Sequence, residues 1–283
     1  MDCCELDGCF GHAFSEIIPV CKGLSSDQKY RVTLNDGRYC LLRISSADQL
    51  ERKRSEYTLL QTAFENGIRV PVPYAFDTMD DGVVYQLIEW LDGCDLETRL
   101  SFCDTAENYI LGRKAAILLK QIHAIPAPDT SVSWKERFYQ KILVRLKEAR
   151  HICSRVDFSA IKQYLLENID ILNKCEQCFN HGDFNPGNLI LLENAELAAI
   201  DFNSYNSGYG EPVFETTGIL LDEKINADFR RGFEENYFDA WTNTDYKTLL
   251  NYYRIYDFLA RLCETQDDCE KTQLLKQIEE FIF

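Results

Sequence analysis

The chain has 283 residues, which is enough for two lobes or one large domain with a substantial core. Its net charge of −16 argues against nucleic acid and anionic membranes as partners. The negative charge would suit a cationic small substrate, but it could equally serve only to keep the protein soluble. No apolar run reaches the roughly 18 residues of a transmembrane helix, and the acidic start lacks the basic residues of a secretory signal. We therefore expect a cytoplasmic protein whose 12 cysteines are mostly buried as small hydrophobes.

The N-terminal third favours β-strands. Apolar and polar residues are arranged as in strands over 17–21, 30–34 and 39–44. Asp36-Gly37 lies between the last two of these segments, and an Asp-Gly pair is typical of a hairpin turn. We expect an antiparallel sheet to begin here.

One helix interrupts the predicted strands. It is expected over about residues 47–66, ends at Gly67, and carries a broad apolar stripe. The stripe consists of Leu50, Tyr57, Leu59, Leu60 and Phe64. Two further strands are expected over 74–76 and 83–88.

From about residue 95 onward the pattern is mainly helical. Apolar residues recur at helical spacing, and the charged residues between them are expected to form solvated faces. The predicted helices are 109–123, 134–153, 159–173, 227–241, 246–264 and 268–283.

The stretch 181–188 reads His-Gly-Asp-Phe-Asn-Pro-Gly-Asn and precedes the apolar run 189–192. A turn over 193–196 leads into a second apolar run, 197–200, which ends at Asp201. This pattern predicts a tight loop followed by a short antiparallel hairpin.

Loop residues and strand ends meet at the same end of a hairpin, so Asp183, Asn188 and Asp201 are expected to converge. Carboxylate and amide oxygens are the ligands that Mg²⁺ prefers. The first aspartate can also accept a proton from a nucleophile. Together these groups would position an alcohol, hold a metal and neutralise a moving phosphoryl group.

The spacing of this motif is specific. Asp183 precedes Asn188 as in the catalytic loop of protein kinases, and Asp201-Phe202 matches the start of their activation segment. With His181-Gly182-Asp183 and Pro186, the stretch resembles the catalytic loop of the aminoglycoside phosphotransferase and choline kinase family. Members of that family are small-molecule kinases with a protein-kinase-like fold.

The resemblance implies an α+β, bilobal, protein-kinase-like fold. Residues 1–91 would form a nucleotide-binding lobe with an antiparallel sheet and one helix. Residues 92–283 would form a mainly helical lobe with the catalytic loop and the substrate site, and the hinge between the lobes is expected at 89–93.

The resemblance also implies a phosphate-covering loop between the first two strands. Residues 22–30 are similar to the loop that covers the triphosphate in the family. Gly23, Ser25 and Ser26 are the candidate contacts, through backbone N–H groups and hydroxyls.

Arg43 occupies the position of the third-strand lysine that holds the α- and β-phosphates in protein kinases. A guanidinium can also bind phosphate, although its geometry differs. Glu56 on the following helix is the expected ion-pair partner of Arg43. At the hinge, the backbone C=O of Glu89 and N–H of Leu91 would bind the purine of ATP or GTP.

The resemblance implies a kinase that transfers the γ-phosphate of ATP or GTP to a substrate hydroxyl. Asp183 would be the catalytic base, Asn188 and Asp201 would hold Mg²⁺, and His181 would pack under the loop. An aminoglycoside O-phosphotransferase acting on a hydroxylated, cationic substrate is favoured. There are two alternatives. One is a metabolic kinase of choline, an amino sugar or a similar metabolite, and the other is a non-catalytic nucleotide-binding pseudo-kinase.

Overall fold

The computed structural model describes residues 14–21, 26–79, 82–129, 132–153, 156–204, 208–240 and 245–282. It separates into two compact units. The first unit is Met1–Cys103 with His181–Gly208, and the second is Asp104–Asn180 with Tyr209–Phe283. The catalytic stretch is thus grouped with the N-terminal strands, and the lobe boundary expected at residues 91 and 92 stays a prediction.

The first unit contains a five-stranded antiparallel sheet in the order β1-β2-β3-β5-β4. Its strands are β1 (Phe14–Pro19), β2 (Gln28–Leu34), β3 (Tyr39–Ser45), β4 (Pro73–Thr78) and β5 (Val84–Glu89). The predicted Asp-Gly turn joins β2 to β3, and Gly37 has the positive φ of 86° that such a turn requires.

The two faces of this sheet differ in character. Val32, Leu42 and Leu87 are fully buried in a hydrophobic cluster on one face. Because side chains alternate along a strand, Lys29 and Arg43 project from the opposite face. Lys29 and Arg43 therefore lie on the same face of β2 and β3, opposite the hydrophobic cluster.

Helix α1 (Leu50–Glu65) follows β3 after a 3₁₀ turn over Ala47–Gln49. Its buried residues include Tyr57, Leu60 and, unusually for an ionisable residue, Lys53. The spacing of these three residues places them on one helical face.

The rest of the first unit supports the catalytic stretch. Strands β6 (Gly93–Asp95), β8 (Leu189–Leu192) and β9 (Leu197–Ala199) form a second antiparallel sheet in the order β6-β8-β9. The short helix α2 (Leu96–Leu100) begins at Asp95, whose side chain accepts a hydrogen bond from the N–H of Thr98. The predicted hairpin of β8 and β9 is confirmed in position and direction.

The second unit is mainly helical. Its helices are α3 (Thr105–His123), α4 (Trp134–Ile152), α5 (Ser159–Glu167), α6 (Pro212–Leu220), α7 (Ala227–Tyr237), α8 (Asp245–Glu264) and α9 (Asp268–Ile282). The two-residue strands β7 (Cys178–Phe179) and β10 (Tyr209–Gly210) pair with each other. Helices α3 and α7 can approach closely because Gly112 has no side chain. A Cβ at this position would lie 2.0 Å from the carbonyl oxygen of Phe229.

Three predicted helices differ from the structure by four or more residues at one end, and two helices, α2 and α6, were not predicted individually. Helix α3 begins at Thr105, four residues before the predicted start at residue 109. The helix expected over 159–173 is α-helical only to Glu167 and continues as a 3₁₀ helix over Ile169–Lys174. Helix α7 ends at Tyr237, short of the predicted residue 241. Helix α6 was missed, although Pro212 at its first position and Glu211 as its N-cap are recognisable start signals. Within the described ranges, no helix has both the length and the apolarity that crossing a membrane requires.

Candidate active site

The predicted catalytic loop is built from backbone constraints that only certain residues satisfy. Gly182 has a φ of +88°, and a Cβ there would lie 2.3 Å from the carbonyl oxygen of Asn203. The N–H of Asn203 in turn donates to the carbonyl of His181 at 2.8 Å. The start of the loop is therefore bound to the segment that follows β9, and only glycine fits between them.

The Asp183 carboxylate is held by two carboxamides. Asn185 Nδ2 donates to Asp183 Oδ1 at 2.9 Å, and Asn188 Nδ2 donates to Asp183 Oδ2 at 2.8 Å. Asp183 itself is exposed. The loop thus orients this carboxylate at an exposed position, and its expected role as the general base stays a prediction.

His181 lies beneath the loop and is fully buried. Its Nε2 is 2.7 Å from the carbonyl oxygen of Ile200, and its Nδ1 is 3.3 Å from the amide nitrogen of Asp183. Because a carbonyl only accepts hydrogen bonds, Nε2 carries the proton and Nδ1 accepts from the Asp183 N–H. Both ring nitrogens therefore contact backbone groups, those of Ile200 and Asp183.

Asp201 is brought to the same place through the backbone. The N–H of Ile200 donates to the carbonyl of Asn188 at 3.0 Å. Asp201 then adopts a φ of 59°, in the left-handed region that aspartate tolerates better than most residues. Its side chain is 43% exposed and forms an ion pair with Arg43 Nη1. The backbone of Asp201 therefore lies next to that of Asn188, whose side chain contacts Asp183, and a metal site shared by Asn188 and Asp201 stays a prediction.

The residues fit a magnesium ion. Asn188 uses its Nδ2 on Asp183, so its Oδ1 is the atom that could bind a metal, and Asp201 would add the oxygens of its carboxylate. Mg²⁺ commonly takes one or two protein oxygens and completes its shell with phosphates and water. The Arg43 guanidinium against Asp201 shows that this carboxylate attracts positive charge.

A buried ion cluster lies behind Arg43. Asp27 Oδ2 is 2.7 Å from Lys53 Nζ and 3.2 Å from Arg43 Nη2, and Asp27 Oδ1 accepts from the Ser45 hydroxyl at 2.8 Å. The side chains of Asp27 and Lys53 are 1% and 3% exposed. Arg43 therefore bridges two carboxylates, those of Asp27 and Asp201.

The pKa values in this cluster follow from its charges. Burial raises the pKa of Asp27, but hydrogen bonds from Lys53 and Ser45 and the nearby cations outweigh it and lower the pKa to about 2. Burial likewise raises the pKa of Asp201, and the Arg43 guanidinium more than offsets this, so the pKa lies below its ordinary value. Both carboxylates are therefore ionised at neutral pH.

The ion pair predicted between Arg43 and Glu56 requires correction. Arg43 pairs with Asp27 and Asp201, whereas Glu56 pairs with Lys53 at 3.3 Å and with Arg52 at 3.7 Å, both on its own helix. The physical reason is that Lys53 lies one turn before Glu56 and projects toward Asp27, so it occupies the place expected for Glu56. A role for Glu56 in nucleotide binding stays a prediction.

The predicted hinge residues follow the end of β5. The Glu89 side chain binds Arg69 at 3.0 and 3.2 Å and accepts from the N–H of Val72 at 3.1 Å. These contacts hold residues 69–72, the segment that leads into β4, against β5. Purine binding by the backbone of Glu89 and Leu91 stays a prediction.

The predicted phosphate loop is only partly described. Gly23 and Ser25 lie outside the described residues, and Ser26 is exposed at the edge of that gap. Their contacts with a nucleotide stay predictions.

Sequence analysis missed Asp27, Lys53 and Lys29. Lys53 could have been found, because it shares a helical face with Tyr57 and Leu60, and a lysine on an apolar stripe indicates a buried partner. Asp27 and Lys29 lie within the predicted phosphate loop, 22–30, but nothing in the local sequence singles them out, because their partners are distant in the sequence.

Comparison with known families identifies the class of protein. The sequence model of the phosphotransferase enzyme family, APH, matches residues 16–258. The chain therefore belongs to this family, and the predicted phosphotransferase is confirmed. A search of curated protein sequences gave no match.

Solved structures support the same fold. The streptomycin–ATP–APH(2'')-IIa ternary complex is 16% identical and has a TM-score of 0.69, with 99% of this chain and 97% of that chain covered. ADP-bound aminoglycoside phosphotransferase APH(2'')-Ib is 16% identical with a TM-score of 0.67, over 95% of this chain and 92% of that chain. A putative fructosamine-3-kinase from Haemophilus somnus 129PT is 16% identical with a TM-score of 0.68, over 96% of this chain and 92% of that chain. The predicted protein-kinase-like fold is thus confirmed.

Proposed function

We propose that this phosphotransferase transfers the γ-phosphate of ATP or GTP to a hydroxyl of a small molecule, with Mg²⁺ as cofactor. The observation that carries the proposal is the Asp183 carboxylate, held by Asn185 and Asn188 and exposed to solvent. The Asp201 carboxylate follows directly after Ile200, whose N–H binds Asn188. A base and a metal-binding pair side by side are what phosphoryl transfer requires.

In the proposed mechanism Asp183 accepts the proton of the substrate alcohol. The alcohol oxygen forms a bond to the γ-phosphorus, the bond from that phosphorus to the β–γ bridging oxygen breaks, and the nucleoside diphosphate leaves. Asn188 and Asp201 would hold Mg²⁺, which neutralises phosphate charge when bound. His181 keeps the Asp183 backbone in place throughout.

We favour an aminoglycoside or a similarly hydroxylated cationic compound as the acceptor. The net charge of −16 suits a cationic substrate, and two of the solved structures with this fold are aminoglycoside phosphotransferases. A metabolic kinase of an amino sugar or related metabolite is the second candidate, because a putative fructosamine-3-kinase matches the fold with a nearly equal TM-score. The cytoplasmic location stays a prediction.

A panel of acceptors would test the reaction. The protein is incubated with Mg²⁺ and ATP or GTP, and with aminoglycosides, choline, amino sugars and other hydroxylated metabolites. We expect one compound class to gain a phosphoryl group, detected by mass spectrometry. Absence of product from every class, together with nucleotide binding, would favour the non-catalytic alternative.

Two matched variants would separate catalysis from metal binding. Asp183→Asn should lower turnover by about 10²–10⁴-fold without weakening nucleotide binding, because it removes a proton acceptor and preserves shape. Asp201→Asn should instead abolish the Mg²⁺-dependent part of nucleotide stabilisation in thermal unfolding. Unchanged turnover in Asp183→Asn would exclude Asp183 as the base.

A further inference from the structure

Arg43, the cation that the sequence assigned to the nucleotide phosphates, is already engaged by the protein. Its two terminal nitrogens bind Asp201 and Asp27, and its side chain is 12% exposed. Asp27 is in turn bound by Lys53. Much of the Arg43 charge is therefore compensated within the first unit before any nucleotide is bound.

A second cation occupies the same face of the sheet. Lys29 on β2 lies directly opposite Arg43 on β3 in the strand register. Residues directly opposite one another in an antiparallel pair have Cβ atoms about 4.5–5.5 Å apart on one face. The next pair along the ladder, Tyr30 and Leu42, packs toward the hydrophobic cluster on the other face, which confirms the side on which Lys29 projects.

Lys29 lies beside the residue that binds the predicted metal ligand, because Arg43, directly opposite Lys29 in the register, forms an ion pair with Asp201. Burial and the Arg43 charge lower the pKa of Lys29, and the carboxylates of Asp201 and Asp27 oppose that change. Lys29 is thus within the electrostatic influence of both Asp201 and Arg43. A nucleotide phosphate bound through Mg²⁺ at Asp201 would lie on the side of the sheet from which Lys29 projects.

We propose that Lys29 is a phosphate-binding residue of this kinase. Arg43 mainly positions Asp201 and binds the Asp27 carboxylate of the buried Asp27–Lys53 pair. A lysine ammonium is a compact point charge on a flexible stem, suited to phosphate oxygens of varied direction. The proposal rests on the proposed nucleotide-dependent function and assigns one of its binding residues.

The test compares nucleotides that differ only in their phosphates. Dissociation constants for adenosine, ADP and ATP with Mg²⁺ are measured by calorimetry for the wild type, Lys29→Met and Lys29→Arg; the guanine series is used if GTP is the donor. Lys29→Met should weaken ADP and ATP binding by about 10–100-fold, the range expected for loss of a charged hydrogen bond, and leave adenosine binding unchanged. Lys29→Arg, which keeps the charge, should retain most of the affinity.

Arg38→Met is the matched control, because it removes a cation from the other end of the same β2–β3 hairpin, where Arg38 pairs with Asp36. It should leave all three affinities unchanged. Equal ADP affinity in the wild type and Lys29→Met would overturn the proposal, as would an equal loss for adenosine and ADP, which indicates a distorted pocket. A wild-type chain that binds none of the nucleotides would overturn the proposed function as well.

Discussion

The Asp27 carboxylate and the Lys53 ammonium lie 2.7 Å apart with almost no exposure to solvent, 1% and 3% of their side chains. Asp27 immediately precedes β2, and Lys53 lies on α1. The same carboxylate binds Arg43, which binds Asp201 in the candidate active site. One buried pair thus connects the packing of α1 to the orientation of a predicted metal ligand.

Breaking this pair should be costly. Asp27→Asn leaves Lys53 buried without a full counter-charge, and we expect a loss of about 3–5 kcal/mol in the free energy of unfolding. Urea unfolding measures it, and Asp36→Asn, at an exposed ion pair in the β2–β3 turn, should change the midpoint little. A double-mutant cycle with Lys53→Met that shows no coupling would contradict the prediction.

The stabilisation from Asp27 should depend on pH in the acid range. Its folded pKa of about 2 lies below the ordinary value of 3.8, so its contribution is present above about pH 4 and is lost as pH falls toward 2. The difference in unfolding free energy between the wild type and Asp27→Asn should shrink by about 2 kcal/mol over this window. A difference that stays constant from pH 6 to pH 2, both approximate limits of the titration, would contradict the assignment.

Gly182→Ala should damage the catalytic loop beyond simple backbone strain. Gly182 and Gly67 both have positive φ values, 88° and 76°, but a Cβ at Gly67 meets nothing within 4 Å. Both variants should lose about 1–2 kcal/mol of stability from the left-handed conformation. Only Gly182→Ala should displace Asn203 and lower turnover, by about 10²-fold for a shift near 1 Å. The rate of Mg²⁺-dependent ATP hydrolysis measures the turnover of each variant. Equal activity of Gly182→Ala and Gly67→Ala would contradict the prediction.

Lys141 on α4 should be a source of instability. Its ammonium lies 5.9 Å from the ring centre of Phe214, and in the described part of the chain no carboxylate forms an ion pair with it. Burial, with the charges of Arg137 and Arg145, lowers its pKa to about 8. Lys141→Met should therefore raise the free energy of unfolding at neutral pH by about 1–2 kcal/mol.

The sign of the pH effect follows from that lowered pKa. Between about pH 8 and 10.5 the folded state releases the Lys141 proton while the unfolded state retains it, so the wild type should gain stability relative to Lys141→Met as pH rises. Urea midpoints across this range measure the difference. Lys147→Met, at an exposed position of the same helix, is the control. A wild type that is more stable than Lys141→Met at neutral pH would show that the ammonium is paired.

Local patterns determined much of the site. The loop from His181 to Asn188 and the hairpin that ends at Asp201 span about twenty residues, so the turn residues and the period of two along the strands were sufficient to predict that Asp201 lies next to Asn188. The predicted stripe of α1 was only partly right, because Tyr57, Leu59 and Leu60 are buried whereas Phe64 is 42% exposed.

Tertiary structure alone decided which charges pair. Arg43 binds Asp27 and Asp201, which are 16 and 158 positions away, and Glu56 turns to Lys53 on its own helix. The position of Lys29 opposite Arg43 depends on the register of β2 against β3. The periodicity of a sequence shows which side of a helix or strand is buried. Which charged residues of different elements form ion pairs depends on the distances between them and on their desolvation, and both are set only when the elements have packed.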